Sequence, residues 1–227
     1  MLFRSISVKI NGQQIEKVKY TKYLGIYIDE ALTWKYHTDQ VATKLSKLTG
    51  IMAKARHYLS LKTLHTIYNT MVYPYLTYCN IIWASTYPTR LQSIFMIQKK
   101  IVRIMMFAKY REECKPLFLS LKILDIYELN MYLIALFMYS YFNENLPTYY
   151  KNYFKLNENM HNHDTRSAFN IHIDYTRTNY GKFSLKFRGA QIWNMLPNDL
   201  KIIKCYNSFK KCAKFYVQNQ ISTHIFT

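Results

Sequence analysis

Three groups of residues in this chain have types and spacing that suit chemistry. The first is acidic, Asp29-Glu30 and Glu112-Glu113. Paired carboxylates can exchange protons with a substrate or hold divalent cations. Asp29-Glu30, however, closes a strand-like run just before a helical pattern, where carboxylates favour the helix N-terminus. Glu112-Glu113 adjoins Arg111 between helical stretches and reads as a solvated turn. The second group is His161, His163 and Asp164, which are metal-ligand types. No thiol lies nearby, and the stretch reads as an exposed loop; no metal is expected. The third group is basic. Lys44, Lys47 and Lys54 recur on one helix face, and Lys99, Lys100 and Arg103, with Gln98, form a compact polar strip on another. Such faces suit sequence-independent contact with phosphates, and they equally suit a solvated helix surface. Aromatic residues alternate with lysines in "KYTKYLGIY" and in "YYKNYFK", Tyr149 to Lys155. They can stack on bases or simply pack amphipathically. There is no glycine-rich phosphate loop, no G-x-S-x-G elbow, and no cysteine pair with zinc or redox spacing among Cys79, Cys114, Cys205 and Cys212. No catalytic residue is assigned.

Charge sets the partner class. The 227 residues carry 31 basic and 13 acidic side chains, a net charge of +18. A field of that size favours polyanions, nucleic acid before anionic membrane. An A/T-rich coding bias, which also enriches lysine, tyrosine, asparagine and isoleucine, is the competing reading. Half the residues are apolar, enough for a core.

The elements that must position these groups follow from periodicity. Ile6, Val8 and Ile10 lead into Asn11-Gly12, a hairpin signal. A strand from Tyr23 to Asp29 follows, with Gly25 as a bulge or close-approach position inside it. The expectation is a small N-terminal antiparallel unit of three strands. From His37 the period becomes helical: Val41, Leu45, Leu48, Met52 and Ala55 form one stripe. Ser60 caps the next helix, which buries Leu61, Leu64, Ile67, Tyr68 and Met71, and Pro74 kinks or ends it. A central helix runs from about Thr89 to Lys109. Asp125 and Glu128 have the spacing of a capping box for a helix reaching Phe142. Its apolar run, Met131 to Phe142, is too short to span a membrane. Residues 148–182 read as a long polar loop. A last helix follows Leu196-Pro197-Asn198, with Ser208 as its cap. The fold class is α+β, mostly α.

The order of segments carries a resemblance. "YTKYLGIYIDEALTWKYHTDQV", "YLSLKTLHTIYNTMVYPYLTYCNIIWAS" and "LQSIFMIQKKIVRIM", followed by "LFLSLKILDIYEL", "ENLPTYYKNYF", "HDTRSAFN" and "IWNMLPNDLKIIKCYNSFKKC", resemble the C-terminal part of non-LTR (LINE-type, Jockey-like) retrotransposon reverse transcriptases. The resemblance covers about residues 5 to 217. It implies three regions: a palm remnant over 1–33, a thumb-like helical domain over 34–112, and a helix-rich C-terminal region over 113–227. It implies that Lys22, Tyr23, Leu24 and Gly25 belong to a primer-grip element. It also implies that the basic faces, Lys44, Lys47, Lys54, Lys99, Lys100 and Arg103, meet an RNA or RNA–DNA template–primer duplex.

The family's palm binds Mg²⁺ through an Asp-Asp turn, and no two aspartates are adjacent in this chain. The expectation is therefore a piece of an RNA-directed DNA polymerase that binds nucleic acid without polymerising, uses no cofactor of its own, and joins a palm and fingers encoded elsewhere. Met1 then reads as an internal methionine of a longer body. The alternative is a mobile-element remnant with no ligand. No signal peptide and no transmembrane segment is read, so the expected location is the cytoplasm or nucleus.

Overall fold

The computed structural model describes residues 8–159 and 170–220. Two hairpins come first. β1 (Lys9–Ile10) and β2 (Gln13–Gln14) pair antiparallel across Asn11-Gly12. Both turn residues have positive φ, 50° and 80°, the turn geometry whose twist matches the strands. β3 (Tyr20–Tyr23) and β4 (Ile26–Asp29) pair with Tyr23 opposite Ile26 and Tyr20 opposite Asp29. The expected three-stranded unit is thus two separate two-stranded ribbons. Gly25 does not interrupt a strand. Leu24 and Gly25, at φ 45° and 83°, are the two turn residues of the second hairpin. A two-residue turn leaves the alternation of side chains intact on both sides, so the sequence reads as one strand.

α1 (Lys35–Ala55) begins behind Trp34, which is left-handed and provides no side-chain cap. Asp29 ties this junction instead. Its carboxylate accepts the Thr33 N–H at 2.8 Å and the Trp34 N–H at 2.7 Å. α2 (Leu61–Ile67) is capped by Ser60, whose hydroxyl accepts the Thr63 N–H. Leu61 and Met71, expected on its buried face, are exposed. Pro74 has no N–H for a carbonyl one turn back. The helix widens into a π turn at Tyr68–Val72 and resumes as α3 (Tyr73–Thr77), followed by α4 (Asn80–Trp83).

α5 (Pro88–Met105), α6 (Cys114–Ser120) and α7 (Ile126–Phe142) complete the central bundle. The capping box at Asp125 and Glu128 is formed on both sides. The loop expected over 148–182 contains short 3-10 turns and a bridge between Leu156 and Ile171 among its described residues. α8 (Asn179–Phe183) then leads into α9 (Leu185–Met195) and α10 (Asn198–Lys201). α11 (Tyr206–Gln220) starts two residues before Ser208. Ser208 therefore lies inside the first turn, and Cys205 takes the capping position. Hydrogen bonds from Ser208 and Asn207 pull the Cys205 thiol below its usual range.

One continuous apolar cluster runs from Val41 on α1 to Val217 on α11. α7 is its axis, with Ile134, Ala135 and Met138 fully buried. α9 packs on α7 at Gly189, where a β-carbon would stand 2.8 Å from the Met138 sulfur and 3.0 Å from the Phe154 ring. Among the described residues no helix is long and apolar enough to cross a membrane.

Candidate nucleic-acid interface

An open cavity of about 600 Å³ lies where the C-terminal end of α1 meets the second half of α5. Its floor is apolar: Met96, Ile97, Ile104 and Ala108. Its cations are Arg56, Lys100 and Arg103, and among the described residues no carboxylate lines it. Each arrives by a different local rule. Arg56 is the C-cap of α1, and its guanidinium stacks 4.1 Å from the centre of the Phe107 ring. Stacking holds the planar cation without an acidic partner. Its Nε is buried and has no hydrogen-bond partner among the described residues. Arg103 donates from Nε and Nη2 to the Glu112 carbonyl at 3.1 and 2.8 Å, which anchors the α5–α6 connection. Lys100 is exposed. Tyr110, which lines the cavity, is 86% exposed, and Phe107, under the Arg56 guanidinium, is 57% exposed. Cations beside exposed rings over an apolar floor can take phosphates on the former and sugar or base faces on the latter.

The other members of the basic strip have structural duties. Gln98 is fully buried and donates to the Tyr68 hydroxyl and to the Leu124 carbonyl, each at 2.9 Å. It belongs to the core and not to the strip, because position 98 falls on the same α5 face as Leu91, Ile94, Ile101 and Met105. Lys99 sits 4.6 Å over the Phe95 ring. Beneath it, burial pushes the Cys114 thiol up, against the pull of Arg103 and Lys99.

Lys44, Lys47 and Lys54 are exposed on α1 and share no described cavity with the α5 strip. Lys44 lies 5.3 Å over the Tyr75 ring. Tyr78, one turn on, donates its hydroxyl to the Leu24 carbonyl at 2.6 Å, and its ring packs against Gly25. α3 thus links the hairpin tip to the lysine face of α1. Lys22, Tyr23, Leu24 and Gly25 are all exposed at that tip, with the Lys22 amine 5.7 Å over Tyr27.

Beneath the hairpin, His37 is buried against Trp83, and its Nδ1 accepts the Tyr27 N–H at 3.4 Å. Burial first, and the Lys44 charge second, lower its pKa to about 4. It is neutral at neutral pH and has no exposed proton to transfer.

Asp29 and Glu112 are engaged in local structure. Asp29 binds the turn before α1, and Glu112 accepts the Lys109 N–H. Among the described residues no group of three His, Cys, Asp or Glu could hold a metal; His161, His163 and Asp164 lie outside them. In "YYKNYFK" the rings mainly pack: Phe154 is buried against Tyr141, and Tyr150 stands edge-on to Phe137, leaving Tyr149 outside. Sequence reasoning missed Arg56, Phe107 and Tyr110 as a set. They are adjacent only because α1 and α5 pack along their length. It also missed the lysines of α11, although Lys210, Lys211 and Lys214 recur at helical spacing.

Over 100 residues, 42% of the chain, the sequence is 32% identical to the RNA-directed DNA polymerase from mobile element jockey of Drosophila funebris. The chain is similar to part of that polymerase. The matched stretch spans 11% of the relative's length. No protein-family model matches the chain, and no solved structure matches it.

Proposed function

We propose that this chain grips the backbone of an RNA or RNA–DNA template–primer duplex, as the primer-grip-like and thumb-like part of a non-LTR reverse transcriptase. The observation that carries the reading is the groove at the ends of α1 and α5: three cations, the exposed Tyr110 ring in its lining, the exposed Phe107 ring under Arg56, and no carboxylate among the described lining residues. The net charge of +18 supports it, as does similarity to a mobile-element RNA-directed DNA polymerase. Lys44, Lys47 and Lys54, with the hairpin tip Lys22 to Gly25, supply a second exposed basic face joined through Tyr75 and Tyr78. Exposed apolar side chains on the first hairpin, Val8, Ile10 and Ile15, support its docking on further protein, the palm in this reading.

The described residues offer no donor set for a catalytic Mg²⁺ pair, and the chain has no Asp-Asp turn. The reading is one of binding by these residues. Lysine and arginine contacts to phosphates release counterions, so affinity should fall steeply with salt. Filter binding of an RNA–DNA hybrid between about 50 and 200 mM salt tests this; an affinity that stays constant would refute it. A continuous core also leads us to expect a cooperative thermal melt, and that result would count against a ligand-free remnant.

A further inference from the structure

A second cavity, of about 540 Å³, lies between the α2–α3 segment and α11. Its walls come from four places in the sequence: His65 to Tyr73, the α6–α7 connection at Lys122 to Leu124, Tyr132 on α7, and the first turns of α11. Four lysines line it, Lys122, Lys210, Lys211 and Lys214, and among the described residues no aspartate or glutamate does. None of the four forms an ion pair with a described carboxylate. Asp125 follows Leu124 in the chain, but its carboxylate is spent on the Tyr127 and Glu128 amides of the capping box.

Like charges gathered without a counter-charge oppose one another. Burial first, then the charges of Lys210 and Lys122, hold the Lys214 amine below its ordinary range. A bound anion would relieve this repulsion. The inner wall is aromatic, from Tyr68, Tyr73 and Tyr132. The Tyr68 hydroxyl accepts from Gln98, whereas those of Tyr73 and Tyr132 have no hydrogen-bond partner among the described residues. His65 is held in place from both sides, its Nε2 donating to the Leu121 carbonyl at 3.1 Å and its Nδ1 3.0 Å from the Asn69 side-chain amide. The pocket thus pairs a cationic rim with an aromatic, hydroxyl-bearing wall, and its volume lies within the range of small-molecule sites.

We infer that this pocket binds a nucleotide through its phosphates, with lysines on the phosphoryl oxygens and the tyrosine wall against the base. The nucleotide is either free or the 5′-phosphorylated end of a strand. The site is separate from the groove of α1 and α5, so it stands or falls independently of that groove.

The test uses the full chain, with calorimetric titration of ATP, inorganic triphosphate, and a ten-residue oligonucleotide with and without a 5′-phosphate. ATP should bind at least tenfold more tightly than triphosphate. The variant Lys210→Gln/Lys211→Gln/Lys214→Gln should lose at least tenfold in ATP affinity with an unchanged melting temperature. A charge-matched control, Lys9→Gln/Lys19→Gln/Lys151→Gln, should bind ATP as the unsubstituted chain does. If the triple variant fails to fold, Lys122→Gln alone should weaken ATP at least threefold. Tighter binding of the 5′-phosphorylated strand than of its hydroxyl counterpart would identify a strand end as the source; equal binding of the two strands, with ATP still bound, would identify the free nucleotide. Equal affinity for triphosphate and ATP would overturn the nucleotide assignment. ATP binding unchanged by the pocket substitutions would overturn the site.

Discussion

Acid should loosen this protein through one ring, His37. It is 5% exposed, lies edge-on to Trp83, and accepts the Tyr27 N–H of β4 through Nδ1. Protonation would place a cation in the core beside Lys44 and remove the lone pair that holds Tyr27. The folded-state pKa of about 4 stands below the ordinary 6.5. Between those values the unfolded chain binds the proton and the folded chain does not. Stability is therefore complete above pH 6.5 and declines as pH falls toward 4. At about 1.4 kcal/mol per unit the loss reaches about 3 kcal/mol, or about 2 if the ring relaxes toward solvent. Asp125 and Glu128 act in the opposite sense, since burial raises both and protonating them favours the fold.

A comparison of unsubstituted protein with His37→Phe removes that opposing contribution, because the two carboxylates are common to both. Urea unfolding from pH 7.5 to 4.5 is the assay. The variant should be about 1 kcal/mol less stable at pH 7.5, having lost the weak Tyr27 bond, and should gain on the unsubstituted protein as pH falls. Parallel stability curves over that range would refute the assignment.

Other perturbations follow from the same contacts. Lys115→Met strands the buried Glu128 carboxylate, which it meets at 2.6 Å, and should cost about 3–5 kcal/mol in urea unfolding. Adding Glu128→Gln should recover most of that; no recovery would show that the pair is not the cause. Gly25→Val forces a β-branched residue to φ 83° and should cost about 1–2 kcal/mol. Faster amide exchange should appear in β3 and β4 but not in α7, and exchange spread evenly through the bundle would speak against a local turn effect. Gln98→Leu leaves the Tyr68 hydroxyl and Leu124 carbonyl unpartnered and should lower stability by about 1–3 kcal/mol. An unchanged denaturation midpoint would argue that neither bond matters.

Much of the fold is written in local pattern. The α1 stripe from Val41 to Met52, the Ser60 cap and the Asp125–Glu128 box each need only a few neighbouring residues, and each is where periodicity puts it. The failures share a cause as well. Leu24 at positive φ and the burial of Gln98 involve contacts across the fold, with Tyr78 and Tyr68 in turn. The candidate site divides in the same way. Lys100 and Arg103 are visible as a helical strip, but Arg56 joins them across a helix pair and is held by a ring, Phe107, that no spacing rule connects to it. The lysines of the second cavity come from α11 and the α6–α7 connection, far apart in sequence.

The most direct test of duplex binding by the α1–α5 groove is the salt dependence of affinity for an RNA–DNA hybrid, compared between the unsubstituted chain and Arg56→Gln/Lys100→Gln. Each lost phosphate contact should reduce the log–log slope by about 0.7–0.9. The double variant should therefore be shallower by about 1.4–1.8, with its thermal melt retained. An identical slope in the two proteins would contradict the groove as the duplex-binding face.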